Sequence, residues 1–193
     1  MSIAKNISIF FLLISLCIST KAQNNITCSI KTELGNITIE LYPAKAPITV
    51  ANFLKYVDAH LYDSSTFFCA VTLNNQPKDS IKIEVIQGGD VDSVNEFDPI
   101  PLEITDKTGL LHKDGTISMA RGKPATATSS FFICINDQPE LDYGGKRNKD
   151  GQGFAAFGKV INGIDIVKKI QNLFPQQGQY FKPPLYIISI TRN

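Results

Sequence analysis

Short segments with a β-forming composition recur along most of the chain, and this recurrence is the feature that most limits its fold. The first two, 28–34 and 37–41, alternate apolar and polar residues and flank Gly35-Asn36, a pair typical of tight hairpin turns. Further runs of this kind cover 67–73, 81–87, 115–120, 130–135, 153–160 and 185–191. About seven or eight short strands in one chain predict a mainly β fold built as a closed barrel.

Two segments have helical spacing instead and predict two helices that cap the barrel. The first follows Pro47, which suits the first turn of a helix, and the second runs from 163 to 173. Their inward faces are predicted from apolar residues at helical intervals: Val50, Phe53, Leu54 and Val57 in the first, and Ile166, Val167, Ile170 and Leu173 in the second. The segments 91–114 and 136–153 lack such a period and are predicted to be surface loops.

The first 22 residues have the pattern of a secretory signal peptide. Lys5 precedes an apolar run over 7–18, and small residues occupy the third and the last position before Gln23. The run is shorter than the roughly 20 apolar residues of a membrane span. A buried N-terminal helix or a retained anchor is the alternative, but polar residues follow at once without a helix cap. We predict that residues 1–22 are removed and that 23–193 form one exported domain, periplasmic or secreted.

The charge balance and the cysteines exclude several classes of function. Without the signal peptide the chain carries 17 basic and 18 acidic residues, so it offers no basic face for a nucleic acid. Its three remaining cysteines, Cys28, Cys69 and Cys134, are scattered, which fits neither a zinc site nor a redox pair. Their odd number leaves at least one free thiol or a partner in another chain. His60 and His112 adjoin no nucleophile motif, which argues against a hydrolase.

Four motifs in the β-forming runs point to one known family. They read YDSSTFFCAV at 62–71, QGGD at 87–90, SMAR at 118–121 and SFFI at 130–133. Together they resemble the two halves of the substrate groove of the cyclophilins, which are peptidyl-prolyl cis-trans isomerases. The resemblance extends over 28–191. It implies an eight-stranded antiparallel barrel with a helix at each end and a substrate groove on the outer barrel wall.

The resemblance also implies a role for each residue of this groove. Gln87 is expected to hydrogen-bond the substrate backbone beside the twisting bond and, with Cys69, occupies a catalytic position of the family. The substrate-binding residues that it implies are Phe132 as the floor of the proline pocket, Val85 and Leu141 at its sides, Phe67 as a supporting residue nearby, and Ala120 and Arg121 along the bound peptide.

Cys69 stands where the family has the arginine that is credited with contacting the prolyl nitrogen. Rotation about the Xaa-Pro bond breaks no bond, so neither a cofactor nor a metal is expected. A charged donor helps by stabilising the twisted state, so its loss predicts slower turnover with binding retained. One hypothesis is therefore a slow prolyl isomerase that assists the folding of exported proteins. The alternative is a non-catalytic module, a proline-peptide binder or chaperone, which Ser130 and Phe154, two further departures from the family, also favour.

The expected partners follow from this assignment. The chain is predicted to bind proline-containing polypeptides, to bind no nucleic acid, to have no stable membrane insertion after signal cleavage, and to be a monomer. These predictions rest on the resemblance, on the charge balance and on the length of the N-terminal apolar run.

Overall fold

Eight antiparallel strands close into a barrel in the computed structural model, which describes residues 24–173 and 178–193. The strands are β1 (Ile26–Thr32), β2 (Gly35–Leu41), β3 (Thr66–Val71), β4 (Val85–Gly88), β5 (Thr116–Met119), β6 (Phe131–Cys134), β7 (Ala155–Asn162) and β8 (Tyr180–Arg192). Around the barrel they follow the order β1-β2-β7-β5-β6-β4-β3-β8. The barrel predicted from the sequence is therefore confirmed, while the predicted signal peptide lies outside the described residues.

The turn of the first hairpin lies two residues before the position that the sequence predicted. Thr32 pairs with Gly35, so Glu33 and Leu34 form the loop and Asn36 pairs with Lys31 inside the ladder. The Thr32 hydroxyl stabilises this loop, because it accepts a hydrogen bond from the Leu34 N–H at 3.2 Å and donates to the Gly35 carbonyl at 2.8 Å. The prediction of a turn at Gly35-Asn36 is wrong, since the chain reverses at Glu33-Leu34 in a turn held by the Thr32 hydroxyl.

The predicted first helix is confirmed as α1 (Pro47–Asp58), with Val50, Phe53, Leu54 and Val57 all buried. No side chain at its own N-cap caps it. The Glu103 carboxylate from a distant loop does so instead, because it accepts from the backbone N–H groups of Ile48 at 3.2 Å and Thr49 at 2.7 Å. A carboxylate at this end also suits the positive end of the helix dipole.

The second predicted helix is α3 (Ile164–Asn172), and the segment 91–114, predicted as a loop, holds a helix that the sequence did not predict. Ile166, Val167 and Ile170 of α3 are buried, but Leu173 is 45% exposed, so its predicted inward position is wrong. The short α2 (Thr105–Thr108) lies within the segment 91–114 and ends at Gly109 in a left-handed conformation. Four residues are too few for a helical period to be read from sequence. Among the described residues, no helix has the length and apolar character needed to cross a membrane.

Strand alternation gives the barrel two separate apolar regions. The interior holds a large cluster centred on aromatic rings, in which the ring centroid of Phe53 lies 5.2 Å from those of Tyr62 and Phe157 and 5.6 Å from that of Phe131. A smaller cluster forms a second region and contains Phe132, the chain neighbour of Phe131. Because successive side chains of a strand point to opposite faces, Phe131 fills the interior and Phe132 lies on the outer wall. This second region positions the candidate site.

Candidate functional site

A cavity of about 210 Å³ opens over the outer-wall cluster. Its wall residues are Cys69, Val71, Ile83, Val85, Gln87, Ala120, Arg121, Phe132, Leu141, Arg147, Phe154, Gln179 and Tyr180. Seven of the eight residues that the sequence assigned to the site belong to this wall, and Phe67 does not. We call this cavity the groove.

Phe132 forms the apolar floor of the groove and is only 4% exposed. The edge of the Phe154 ring meets it in a T-shaped contact with ring centroids 5.2 Å apart. Val85 on β4 and Leu141, at the end of a 3-10 turn over Pro139–Leu141, belong to the same cluster. These side chains make a small pocket of aromatic and branched aliphatic groups, which suits a compact apolar ring such as pyrrolidine.

A buried hydrogen-bond chain supports Phe132 from behind. The His112 imidazole stacks on the Phe132 ring at 5.9 Å between centroids. Its Nδ1 lies 2.7 Å from Asp142 Oδ1, and its Nε2 lies 2.9 Å from Ser118 Oγ. The sequence had indicated a plain loop position for His112 without an adjacent serine. The fold brings Ser118 to it, but Ser118 is fully buried, so the trio holds the pocket floor and offers no accessible nucleophile.

The polar side of the groove comes from neighbouring strands. Cys69 on β3 pairs with Gln87 on β4, and Gln87 pairs with Phe132 on β6. Directly paired residues point to the same face, so the three side chains form one row across the wall. Gln87 is half-buried, which places an amide beside the apolar floor. Burial raises the pKa of the Cys69 thiol to about 11, so at neutral pH it is protonated and carries no charge.

The two glycines after Gln87 have a packing role. A side-chain carbon added at Gly88 would lie 2.7 Å from the Phe67 ring, and one at Gly89 would lie 2.6 Å from the Phe131 ring. Gly89 also has a φ of +76°, which L side chains rarely adopt. The QGGD motif therefore combines one groove residue with two positions that the aromatic core closes to larger side chains.

Arg121 lines the groove, but its guanidinium is held by residues of the segment 136–153. Nη1 and Nη2 donate to the two carboxylate oxygens of Asp150 at 2.8 and 2.9 Å, and Nε donates to the Gly153 carbonyl at 2.8 Å. These hydrogen bonds lower the pKa of the Asp150 carboxyl to about 2, so it stays ionised at neutral pH. Ala120, the preceding residue, lies half-buried on the groove wall.

Phe67 belongs to the barrel interior. It is fully buried in the interior cluster, where its ring meets Phe131 edge-on at 6.0 Å between centroids. It therefore does not line the groove itself and supports the wall from the interior. The pairing register shifts between Phe67 and Cys69, so this β-bulge lets Cys69 face the outer wall although it lies two residues after the inward Phe67. Phe68, between them, packs against the outer-wall cluster, and its ring stacks on the exposed ring of Tyr180 at 6.5 Å between centroids.

Several wall residues were not assigned from the sequence. Arg147 comes from the segment 136–153 and Tyr180 begins β8, and neither lies in the four motifs. The register gives a reason for Tyr180, because it pairs with Cys69 across strands β8 and β3. No local signal marks Arg147, since its position depends on how two loops meet.

The cysteines are all free and buried among the described residues. Cys69 and Cys134 share the outer-wall cluster, and Cys28 lies in the interior. Burial also raises the pKa of the Cys28 thiol to about 11. Over residues 24–173 and 178–193, no group of three or more His, Cys, Asp or Glu side chains is placed to hold a metal ion.

Comparison with known sequences gives consistent matches. A family model described as cyclophilin type peptidyl-prolyl cis-trans isomerase/CLD matches residues 27–192. A peptidyl-prolyl cis-trans isomerase of Acinetobacter baylyi is 37% identical over 182 residues, which cover 91% of this chain and 89% of the relative. Peptidyl-prolyl cis-trans isomerase B of Escherichia coli is 32% identical over 145 residues, covering 74% of this chain and 82% of the relative.

Solved structures match the fold. The crystal structure of a cyclophilin-type peptidyl-prolyl cis-trans isomerase from Cryptosporidium parvum superposes with a TM-score of 0.71 at 22% identity, covering 88% of this chain and 98% of that one. A second crystal structure of the parasite protein, determined in the presence of the dipeptide Ala-Pro, gives a TM-score of 0.68 with 86% and 98% coverage. At this identity the likeness establishes the barrel architecture.

Proposed function

The chain belongs to the cyclophilin family of peptidyl-prolyl cis-trans isomerases. We propose that its groove accelerates rotation about Xaa-Pro bonds, and that this catalysis is slow because position 69 holds a cysteine and no arginine. The observation that carries the proposal is the row formed by Cys69, Gln87 and Phe132 across three neighbouring strands. It sets an apolar floor, an amide and an uncharged thiol side by side over one cavity.

The reaction needs restraint and charge stabilisation, and no covalent step. The barrier to rotation about the peptide bond is about 18–20 kcal/mol, because resonance gives the bond partial double-bond character. As the bond twists, this conjugation is lost and the prolyl nitrogen regains its lone pair. A site accelerates rotation when it binds the twisted state more tightly than either planar isomer. A site meets this requirement when some of its groups hold the proline ring and others hold the flanking carbonyls at the relative orientation of the twisted state.

The apolar floor holds the ring. Phe132, Val85 and Leu141 are each at least 96% buried, so they are already packed before a ligand arrives. When a pyrrolidine ring enters this pocket, each Å² of apolar surface removed from water contributes about 25 cal/mol of favourable binding free energy. The His112 stack and the Phe154 edge contact fix the plane of the Phe132 ring, which preserves the pocket's shape.

The polar wall holds the peptide backbone. The Gln87 amide has both donors and an acceptor, and it lies beside Phe132 on the neighbouring strand. A hydrogen bond from this amide to a substrate carbonyl anchors one side of the twisting bond. The Cys69 thiol is a weak donor without charge, so it stabilises the prolyl lone pair much less than a guanidinium does.

The proposal is tested by exchange NMR on a short peptide with an Ala-Pro bond, using residues 23–193. Uncatalysed isomerisation takes tens to hundreds of seconds, so slow catalysis is measurable without a coupling protease. We expect the folded chain to shorten the cis-trans exchange time of the peptide. If the peptide binds and its exchange time stays unchanged, the chain is a proline-peptide binder and the catalytic part of the proposal is wrong.

We also propose that the chain assists the folding of exported proteins, and this part rests on the signal-like pattern of residues 1–22. When the 193-residue chain is expressed in a bacterium with a periplasm, we expect the periplasmic fraction to contain a chain that begins at Gln23. Intact-mass measurement gives the answer. Recovery of the chain only from the cytoplasm with residues 1–22 attached would contradict export.

A further inference from the structure

Two guanidinium groups line the groove, and they differ in how many donors are already engaged. Arg121 and Arg147 are the cationic members of the groove wall as the described residues define it. An arginine has five N–H donors in a fixed planar arrangement. Counting the partners of each donor shows which guanidinium has capacity left for a ligand.

Arg121 has none left. Its Nη1 donates to Asp150 and to the Gly122 carbonyl, and its Nη2 donates to Asp150 and to the Gly153 carbonyl. Its Nε donates to the same Gly153 carbonyl. All five donors therefore have acceptors, and the side chain is only 1% exposed. Arg121 shapes the wall of the groove and has no donor to offer a substrate.

Arg147 has three of its five N–H donors without an acceptor among the described residues. Only its Nη1 has partners among the described residues, which are the Ile81 carbonyl at 2.7 Å and Asp79 Oδ2 at 3.3 Å. The Nε–H and both N–H groups of Nη2 have no acceptor there. The side chain is 20% exposed and belongs to the groove wall. Its own backbone N–H donates to the Glu140 carbonyl at 3.1 Å, which fixes the base of the side chain.

We propose that Arg147 is a substrate-binding residue, whose guanidinium donates to an oxygen acceptor of the polypeptide on the flank of the bound proline. The proposal deepens the proposed function, because it takes the ligand to be an Xaa-Pro polypeptide seated on Phe132. The acceptor is either a backbone carbonyl or an acidic side chain next to the proline. Both present an oxygen to a planar fork of N–H donors.

This contact strengthens binding of the planar and twisted states alike, since the flanking oxygen keeps its position while the bond turns. An interaction of equal strength in both states lowers KM and leaves kcat unchanged. Arg147 therefore differs in effect from an arginine at position 69, whose donor would act on the prolyl nitrogen in the twisted state.

The test measures the Kd of an Ala-Pro peptide by NMR titration, together with kcat and KM from exchange spectra, for the wild type and Arg147→Ala. A hydrogen bond to a charged group of this kind corresponds to about a tenfold change in Kd. We expect Kd and KM to rise about tenfold in Arg147→Ala, with kcat within about twofold of wild type. An unchanged Kd in the folded variant overturns the proposal. If Arg147→Ala does not fold, Arg147→Lys takes its place, since it keeps the charge and loses the fork.

Asp79→Ala is the control for a merely structural role. Arg147 joins two loops through Asp79 and Ile81, so its removal could loosen the groove without any substrate contact. Asp79→Ala breaks the ion pair and leaves the guanidinium in place, so we expect Kd to stay within about twofold of wild type or to decrease. A Kd that rises as much in Asp79→Ala as in Arg147→Ala assigns the effect to the loop contact and overturns the proposal.

A second peptide with Glu before the proline separates the two acceptors. Equal losses for the Ala-Pro and Glu-Pro peptides identify a backbone carbonyl, and a loss confined to Glu-Pro identifies the carboxylate; both outcomes support the contact. The titration also separates this proposal from the proposed function. If the wild type binds both peptides and catalyses no exchange, the proposed function is wrong while the Kd values still decide the role of Arg147. If the wild type binds neither peptide, both proposals are wrong.

Discussion

Phe132→Ala is expected to lower kcat/KM for Xaa-Pro exchange on the order of 100-fold. The substitution removes the aromatic floor of the groove, on which the pyrrolidine ring is proposed to rest, together with the contacts to Phe154 and His112. Truncation of a central aromatic anchor in a desolvated pocket costs about 2–4 kcal/mol of binding free energy, and each 1.36 kcal/mol is tenfold in rate. Exchange NMR with the Ala-Pro peptide measures the change.

Phe131→Leu is the matched control for this experiment. Phe131 is the chain neighbour of Phe132, but it is fully buried in the barrel interior. Its substitution is expected to lower the free energy of unfolding by about 1–3 kcal/mol and to leave Kd for the peptide within about twofold. Denaturant unfolding of both variants separates loss of fold from loss of site. A folded Phe132→Ala protein with wild-type kcat/KM would show that proline binds elsewhere.

Cys69→Arg is expected to raise kcat on the order of 100-fold. Cys69 lies next to Gln87 and one further strand from Phe132, and neighbouring strands are about 4.8 Å apart. An arginine side chain at this position is long enough to carry its guanidinium over Gln87 to the pocket. A preorganised donor aimed at developing electron density contributes about 10²–10³ in kcat. The gain measures what the natural thiol, protonated because burial raises its pKa to about 11, does not supply.

Cys69→Lys tests whether the gain requires the planar fork. A lysine adds the same charge as a flexible point donor, so we expect a smaller rise in kcat than in Cys69→Arg. The expected order of kcat is arginine, then lysine, then the natural cysteine. If both variants fold and bind peptide with unchanged kcat, the slow turnover has another origin than position 69.

A comparison of Phe67 with Phe132 shows how far strand patterns predict a site. Phe67 and Phe132 both lie in aromatic-rich β segments, and the family resemblance placed both near the groove. Only the closed barrel shows that Phe67 points to the interior and Phe132 to the outer wall. A run such as 67–71 is apolar on both faces, so its alternation does not reveal which face is the core.

The contacts of loop side chains with distant elements could not be predicted from the sequence, for a different reason. The helix α1 was predicted from its apolar spacing and Pro47, but its cap, Glu103, comes from 54 residues away. Likewise, Arg121 was assigned to the substrate, and its guanidinium is engaged by Asp150, 29 residues further on. Local patterns contain no information on which loop side chains meet.

The sequence by itself determined the strands, the helices α1 and α3, the barrel they form and seven of the residues on the groove wall. It could do so because strand alternation and helical spacing are local consequences of burying one face. The groove residues came from the resemblance of the motifs to one known family. The tertiary structure alone decided the inward turn of Phe67, the His112 chain behind Phe132 and the difference between Arg121 and Arg147. The His112 chain and the contacts of the two arginines depend on hydrogen bonds between segments 6 to 66 residues apart, and such bonds exist only once barrel closure has fixed the loops beside one another.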